Sequence, residues 1–221
     1  MRFRDRRAAG SALGEKLRTL ELPGPCVVLG LARGGAPVAS AVSQALGAPL
    51  DVLVVRKVGV PGWEELAMGA VATGGVEVRV AEVLAHDPQL TASFPAAARA
   101  ARAEVERREQ RYTRPGGRVP LAGVTAVLVD DGVATGATML AAVRSCRARG
   151  AARVLVATPV MAAEARALLE READQVVALL TPEPFTAVAA WYEEFPQLDD
   201  EEVVALLAGM ASAPPPRARS V

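Results

Sequence analysis

The sequence predicts an α/β fold, an open, mainly parallel sheet flanked by helices. Two separated segments, residues 26–46 and 124–149, each run from an apolar strand through a Gly-rich turn straight into a helix, the repeating unit of a sheet built by crossover connections. A further strand–helix–strand alternation follows over residues 153–180. The strand at residues 50–56 is continuously apolar in character, as burial on both faces requires. With 221 residues and 51% hydrophobic content, the chain is long enough for one full domain with a substantial core.

Taken in order, residues 4–20 read as a charged, Ala-rich amphipathic helix with Leu13, Leu17 and Leu20 at helical spacing. Residues 26–32 form a buried strand and Arg33-Gly34-Gly35 a turn. Residues 36–46 form a helix whose Pro37 lies in the first turn, where a missing N–H costs least. A second strand covers residues 50–56 and ends at Arg56-Lys57. Residues 59–65 (Gly-Val-Pro-Gly-Trp-Glu-Glu) combine two glycines, a proline and an exposed aromatic, which predicts a mobile loop. Residues 68–73 and 76–80 flank Gly74-Gly75 and read as a hairpin or two short strands. Residues 93–112 form a long helix, its Glu104/Arg108 and Arg102/Glu106 pairs at i,i+4 spacing on a solvated face. A polar loop over 113–120 delivers the strand at 124–129.

The helix at 137–149 places Leu140, Val143 and Cys146 on one side and stops at Gly150. Strand 153–158, helix 161–171 and strand 175–180 complete the alternation. Beyond it, Thr181-Pro182-Glu183-Pro184-Phe185 breaks regularity, and Trp191, Tyr192 and Phe195 concentrate aromatics in a chain that is 4% aromatic. Asp199 and Glu202 have the spacing of a capping box opening a last helix with Val203, Leu206, Leu207 and Met210. Residues 214–221 are expected to be disordered, leaving a single domain over 1–213.

Several function classes are disfavoured. Twenty-five basic residues cancel twenty-five acidic ones, so charge favours neither nucleic acid nor an anionic membrane. Cys26 and Cys146 read as small core residues, which fits a reducing cytoplasm. No apolar run reaches 18 residues and the basic amino terminus lacks the apolar stretch of a signal peptide, so a cytoplasmic protein is expected. His86 is the only histidine, and no His-based metal site can be built. The two lysines, Lys16 and Lys57, do not follow a glycine, which excludes a Walker loop. The spacing of Gly30, Gly34 and Gly35 is not that of a dinucleotide fingerprint.

Chemistry concentrates in the run Val127-Leu128-Val129-Asp130-Asp131-Gly132-Val133-Ala134-Thr135-Gly136-Ala137-Thr138. A strand ends, two carboxylates follow at its carboxyl edge, and a Gly/Thr turn enters a helix. The amino end of a helix offers unpaired N–H groups and partial positive charge to a phosphate. Gly132 and Gly136 let the backbone approach closely, and the Thr135 and Thr138 hydroxyls add donors. Asp130 and Asp131 can accept from two neighbouring sugar hydroxyls or hold a divalent cation through water. The ligand so described is a ribose 5-phosphate.

This run resembles the signature of the type I phosphoribosyltransferases, which bind 5-phosphoribosyl 1-pyrophosphate (PRPP) with Mg²⁺. The resemblance implies that residues 130–138 hold the ribose 5-phosphate and that Asp130 and Asp131 orient the ribose and approach the metal through water. It implies that Ala32, Arg33, Gly34 and Gly35 form the pyrophosphate loop, with Arg33 neutralising the leaving group and a cis peptide at Ala32–Arg33. A flexible flap would contain Arg56, Lys57, Trp63, Glu64 and Glu65, and a small hood over the base would come from the amino-terminal region and residues 181–210. The expected partners are PRPP and a nitrogenous small-molecule acceptor, without nucleic acid or membrane, the assembly being open to a homodimer. In hypoxanthine-guanine enzymes the fifth signature position is an acid/base Asp. Here it is Ala134, which argues against a 6-oxopurine acceptor, and adenine and orotate enzymes match better at that position. The rival expectation is a PRPP-sensing regulator without catalysis, although no helix-turn-helix or basic recognition face is evident.

Overall fold

The computed structural model describes residues 2–20, 22–113 and 117–210, without the side chains of Glu64, Glu65, Glu82 and Met210. The tail expected over 214–221 lies outside the described residues.

Helix α1 (Arg6–Arg18) is opened by Asp5, whose carboxylate accepts from the Ala8 N–H at 2.7 Å. Strand β1 (Cys26–Leu31) leads into α2 (Gly35–Leu46) and β2 (Leu50–Leu53). Strands β3 (Val55–Val60), β4 (Trp63–Ala72) and β5 (Val76–Arg79) follow, then α3 (Ala81–Ala85) and the long α4 (Pro88–Tyr112). The second half contains β6 (Thr125–Val129), α5 (Ala137–Ala148), β7 (Arg153–Val160), α6 (Ala163–Leu169), β8 (Gln175–Leu180) and α7 (Asp200–Met210).

Five strands form one parallel sheet in the order β2-β1-β6-β7-β8, and β3-β4-β5 form a small antiparallel sheet. The strand carrying the acid pair is central and adjacent to β1, where the continuous apolar run of Val127, Leu128 and Val129 is fully buried. One apolar cluster packs α1, α2 and α4 on one face of the sheet, and a second packs α5 and α6 on the other.

Two expectations are corrected. The apolar run at 50–56 is not one strand: β2 pairs with β1, and the chain changes sheets at Val54. There the Val54 N–H donates to the Thr73 hydroxyl at 2.9 Å and the Thr73 N–H to the Val54 carbonyl at 2.8 Å. The apolar run conceals such a crossing, because Val54 and Val55 continue the apolar character of buried β2 up to the point where β3 turns exposed at Arg56 and Lys57. The loop expected over 59–65 is also mostly strand. Val60 pairs with Trp63 across Pro61-Gly62, register shifts absorb Gly59, and Arg56, Lys57, Trp63, Glu64 and Glu65 all lie in the antiparallel sheet. The hairpin about Gly74-Gly75 and the Asp199/Glu202 capping box form as expected, the box with both hydrogen bonds at 2.8 Å.

Candidate active site

Both Gly-rich turns leave the carboxyl edge of neighbouring strands, and Gly30 on β1 lies opposite Val129 on β6. The turns touch. A Cβ on Gly35 would stand 2.5 Å from the Val129 carbonyl oxygen and 2.9 Å from Asp130 Cα, and one on Gly34 would collide with the Asp131 carboxylate. Glycine is required at both positions by this approach, not by an unusual φ. The Ala32–Arg33 peptide between β1 and these glycines is cis.

The carboxylates differ in their partners. Asp131, 9% exposed, accepts from Arg6 Nε at 2.7 Å through Oδ2, and its carbonyl oxygen accepts from the Tyr192 hydroxyl at 2.5 Å. Asp130 has no cationic partner within salt-bridge distance among the described residues. Its Oδ1 accepts the Asp131 N–H at 2.9 Å. Burial raises both carboxyl pKa values: at Asp130 the adjacent Asp131 charge adds to the rise, and at Asp131 the Arg6 hydrogen bond and charge offset part of it.

The turn after the acids is divided between scaffold and site. Val133 donates its N–H to the Val160 carbonyl at 3.0 Å and accepts from Ala162 at 2.9 Å, so its backbone ties β6 to β7 and is not free for a phosphate. Gly132 packs under Val188. Ala134 and Thr135 are exposed. Gly136 caps α5 in the left-handed region (φ 82°) with no side-chain cap. The N–H groups of Ala137, Thr138 and Met139 at the start of α5 therefore lack intrahelical partners.

A cavity of about 580 Å³ opens over this edge. Ala32, Arg33, Gly34, Asp130, Asp131 and Thr138 line it, and so do Arg56 and Lys57 from β3. Arg33, Arg56 and Lys57 make no ion pair with a described residue. Trp63 is 68% exposed and outside the lining.

Sequence reading missed two contributors, Arg108 and Arg6. Arg108, assigned to a solvated face, lines the cavity while pairing with Glu104 at 2.7 Å. The segment 195–198, part of the 181–210 stretch expected to contribute at the site, also lines the cavity. Arg6, 8% exposed, donates to Asp131 and to the Pro196 carbonyl (2.7 Å) and lies 3.7 Å over the Phe195 ring. A signal for Arg6 was present, since it shares the stripe of Ala9, Leu13 and Leu17, the buried face of α1. Of the clustered aromatics, Phe195 lines the cavity and Trp191 does not. Phe195 lies between Arg6 and Tyr192, whose ring centroid is 5.0 Å away.

Among the described residues no helix is long and apolar enough to cross a membrane, and no three His, Cys, Asp or Glu side chains group as a metal site. A phosphoribosyl transferase domain matches residues 8–193. Two Mycobacterium tuberculosis proteins, from strains CDC 1551 and H37Rv, each named "Putative phosphoribosyl transferase", are 47% identical over 206 residues, covering 93% of this chain and 46% of the relative. The chain thus spans about half the length of these curated relatives. The crystal structure of TT1426 from Thermus thermophilus is 46% identical, with a TM-score of 0.82 over 96% of this chain and 100% of that one.

Proposed function

The chain belongs to the phosphoribosyl transferase domain family, and from that premise we propose that it transfers the ribose 5-phosphate of PRPP to a nitrogenous acceptor and releases pyrophosphate. One observation carries the reading: an acid pair, two Gly-rich turns before helices and three cations without ion-pair partners among the described residues share one cavity at the carboxyl edge of adjacent strands. PRPP has the complementary pattern, a phosphate at one end, a diol in the middle and a pyrophosphate at the other.

In this reading the amino end of α5 with Thr138 holds the 5-phosphate. Asp130 and Asp131 accept from the ribose hydroxyls, and the 32–35 loop with Arg33 receives the pyrophosphate. Arg56 and Lys57 lie across the cavity, where they neutralise charge as the pyrophosphate departs. The nitrogen lone pair forms the bond to ribose C1 while the C1–O bond breaks and its electron pair leaves with pyrophosphate. Held geometry and compensated charge supply the catalysis, with no covalent nucleophile from the protein.

The residues fit Mg²⁺ carried with PRPP: Asp130 is a largely buried carboxyl without a salt-bridge partner among the described residues, which also offer too few ligands for a metal cage of their own. Bound there beside Asp130 and Asp131, the ion would balance diphosphate charge. The segment at residues 3–4, hydrogen-bonded to 191–194, together with 195–198 is proposed as the hood. The test is pyrophosphate release from Mg-PRPP with a panel of bases and with none. Base-dependent release supports the transferase; tight PRPP binding without release would support a sensor.

A further inference from the structure

Arg6 lines the cavity beside the 195–198 segment. It bridges the ribose-side carboxylate of Asp131 and the Pro196 carbonyl, with its side chain 9% exposed. Two guanidinium nitrogens are thereby engaged, Nε and Nη1. Nη2 makes no hydrogen bond with a described residue, yet it is not among the side-chain atoms sealed from solvent without a partner, and Arg6 lines the cavity. The guanidinium is clamped, because Phe195 stacks on it at 3.7 Å and is itself held by Tyr192. A clamped donor of this kind reads hydrogen-bond acceptors with little entropic loss.

The lining also lacks a base for the incoming nitrogen. Among the described residues it contains no histidine and no carboxylate other than Asp130 and Asp131, both assigned above to the ribose. The fifth position of the signature turn is Ala134, exposed and without acid/base chemistry. Among the described residues of the lining, a nucleophile that needs its N–H proton removed during attack finds no group beyond that acid pair to take it. One that has already lost the proton to solvent needs none, and its negative charge suits a cation.

We propose that Arg6 recognises the acceptor, and that the acceptor is an N–H-acidic heterocycle bearing a carbonyl or carboxylate oxygen beside the attacking nitrogen, bound as its anion with that oxygen on Arg6 Nη2. This rests on the phosphoribosyl-transfer reading and narrows it. Pyrimidine-type rings, with a carbonyl carbon next to the attacking nitrogen, fit. Purines attacking through the imidazole ring carry no exocyclic oxygen beside that nitrogen and do not. In the step, the anionic nitrogen forms the N–C1 bond and the C1–O electron pair departs with pyrophosphate, so no proton is transferred on the protein.

The test compares kcat/KM for orotate and uracil with that for adenine and hypoxanthine, in the parent protein and in Arg6→Gln and Arg6→Lys, with Mg-PRPP binding to the parent followed by calorimetry. The parent is expected to favour orotate or uracil, and Arg6→Gln to reduce that preference by about 10- to 100-fold, the range for one hydrogen bond to a charged group. Because the preference is a ratio measured on one protein, changes in folding or PRPP affinity cancel from it. Arg6→Lys keeps the charge without the fork and should recover only part of the preference. A parent that prefers adenine or hypoxanthine overturns the inference without recourse to any variant, and so does an unchanged ratio in Arg6→Gln. PRPP binding with no turnover of any base also overturns it. If the parent does not bind Mg-PRPP at all, the transferase reading itself falls and this inference with it.

Discussion

Asp130 and Asp131 show how two neighbouring, chemically identical side chains are given different states. Asp131 has a guanidinium; Asp130 has burial and a like charge. A carboxyl whose folded pKa is raised contributes stability that is fully present below its unfolded pKa and is lost as pH rises through the folded one. At neutral pH the free protein therefore carries a cost at Asp130 that asparagine would not. Asp130→Asn should raise the apo melting midpoint at pH 7 by about 2–4 °C, the shift that about 1 kcal/mol gives at this chain length. The gap should close as pH falls below about 4, and a melting series from about pH 3.5 to 8 checks both. Affinity should move oppositely in the parent: binding of Mg-PRPP weakens as pH falls through the raised Asp130 pKa, since the ionised form is the one that takes the cation. Asp131→Asn has a different profile. It leaves Arg6 buried against a neutral partner and should cost about 2–3 kcal/mol of stability. Activity should fall more than PRPP affinity, separable by calorimetry beside steady-state rates. Equal losses in both would mean that Asp131 serves only to hold the ligand.

Among the elements, the turns were the legible part of the sequence and the ribbon was not. The β1 and β6 turns are written locally, as an apolar strand, a Gly-rich bend and a helix start within about a dozen residues, so pattern and chemistry coincide. The β3–β4 hairpin is opaque because Gly59, Pro61 and Gly62 signal a loop while the pairing of Val55 with Ala72 and Arg56 with Val71 depends on distant partners. Arg6 and Arg108 were hidden for a related reason: spacing shows which helix face a cation occupies, but only the fold shows what that face meets. Arg102 is a small example, expected to pair with Glu106 but bonded at 2.6 Å to Glu77 on β5. The α5 entry offers the sharpest element-level test. Gly136 and Gly24 both have positive φ, 82° and 72°, but Gly24 has nothing within 4 Å of a built Cβ, whereas Gly136 caps α5 beside Leu168. Alanine at either position should cost about 1–2 kcal/mol in backbone strain. Only Gly136→Ala should weaken PRPP binding, by about tenfold or more, on the order of one lost charged hydrogen bond. Equal PRPP affinities in the two variants would reduce the signature turn to an ordinary connection.

Across the whole molecule, the site is assembled from parts far apart in sequence, and this gives the ligand a global role. Helix α1 is seated on α2 by Gly10 and Gly14, where a Cβ would stand 2.6 Å from the Val38 carbonyl oxygen and 2.6 Å from Ala45 Cβ. That seating delivers Arg6 to Asp131, 125 residues away. Residues 191–194 hydrogen-bond to Phe3 and Arg4, and Tyr192 reaches the Asp131 carbonyl. The cavity thus joins α1, both turns, β3, α4 and the 195–198 segment. A ligand that touches all of them must stabilise them together. Binding to the folded state alone adds RT ln(1 + [L]/Kd), about 2.7 kcal/mol at a hundredfold excess over Kd. Mg-PRPP at that excess should therefore raise the melting midpoint by about 5–10 °C at this chain length. In the proposed arrangement, ribose 5-phosphate would engage only the acid pair and the α5 turn, and Mg-pyrophosphate only the Arg33 loop with Arg56 and Lys57. The covalent union of the two halves should bind more tightly than the product of their separate affinities expressed at millimolar effective concentration. Differential scanning fluorimetry with the three ligands at one fixed concentration checks this, the expected order being PRPP well above pyrophosphate and ribose 5-phosphate. If ribose 5-phosphate alone matched PRPP, the 32–35 loop and the two β3 cations would have no part in binding, and the cavity would be a sugar-phosphate site instead of a PRPP site.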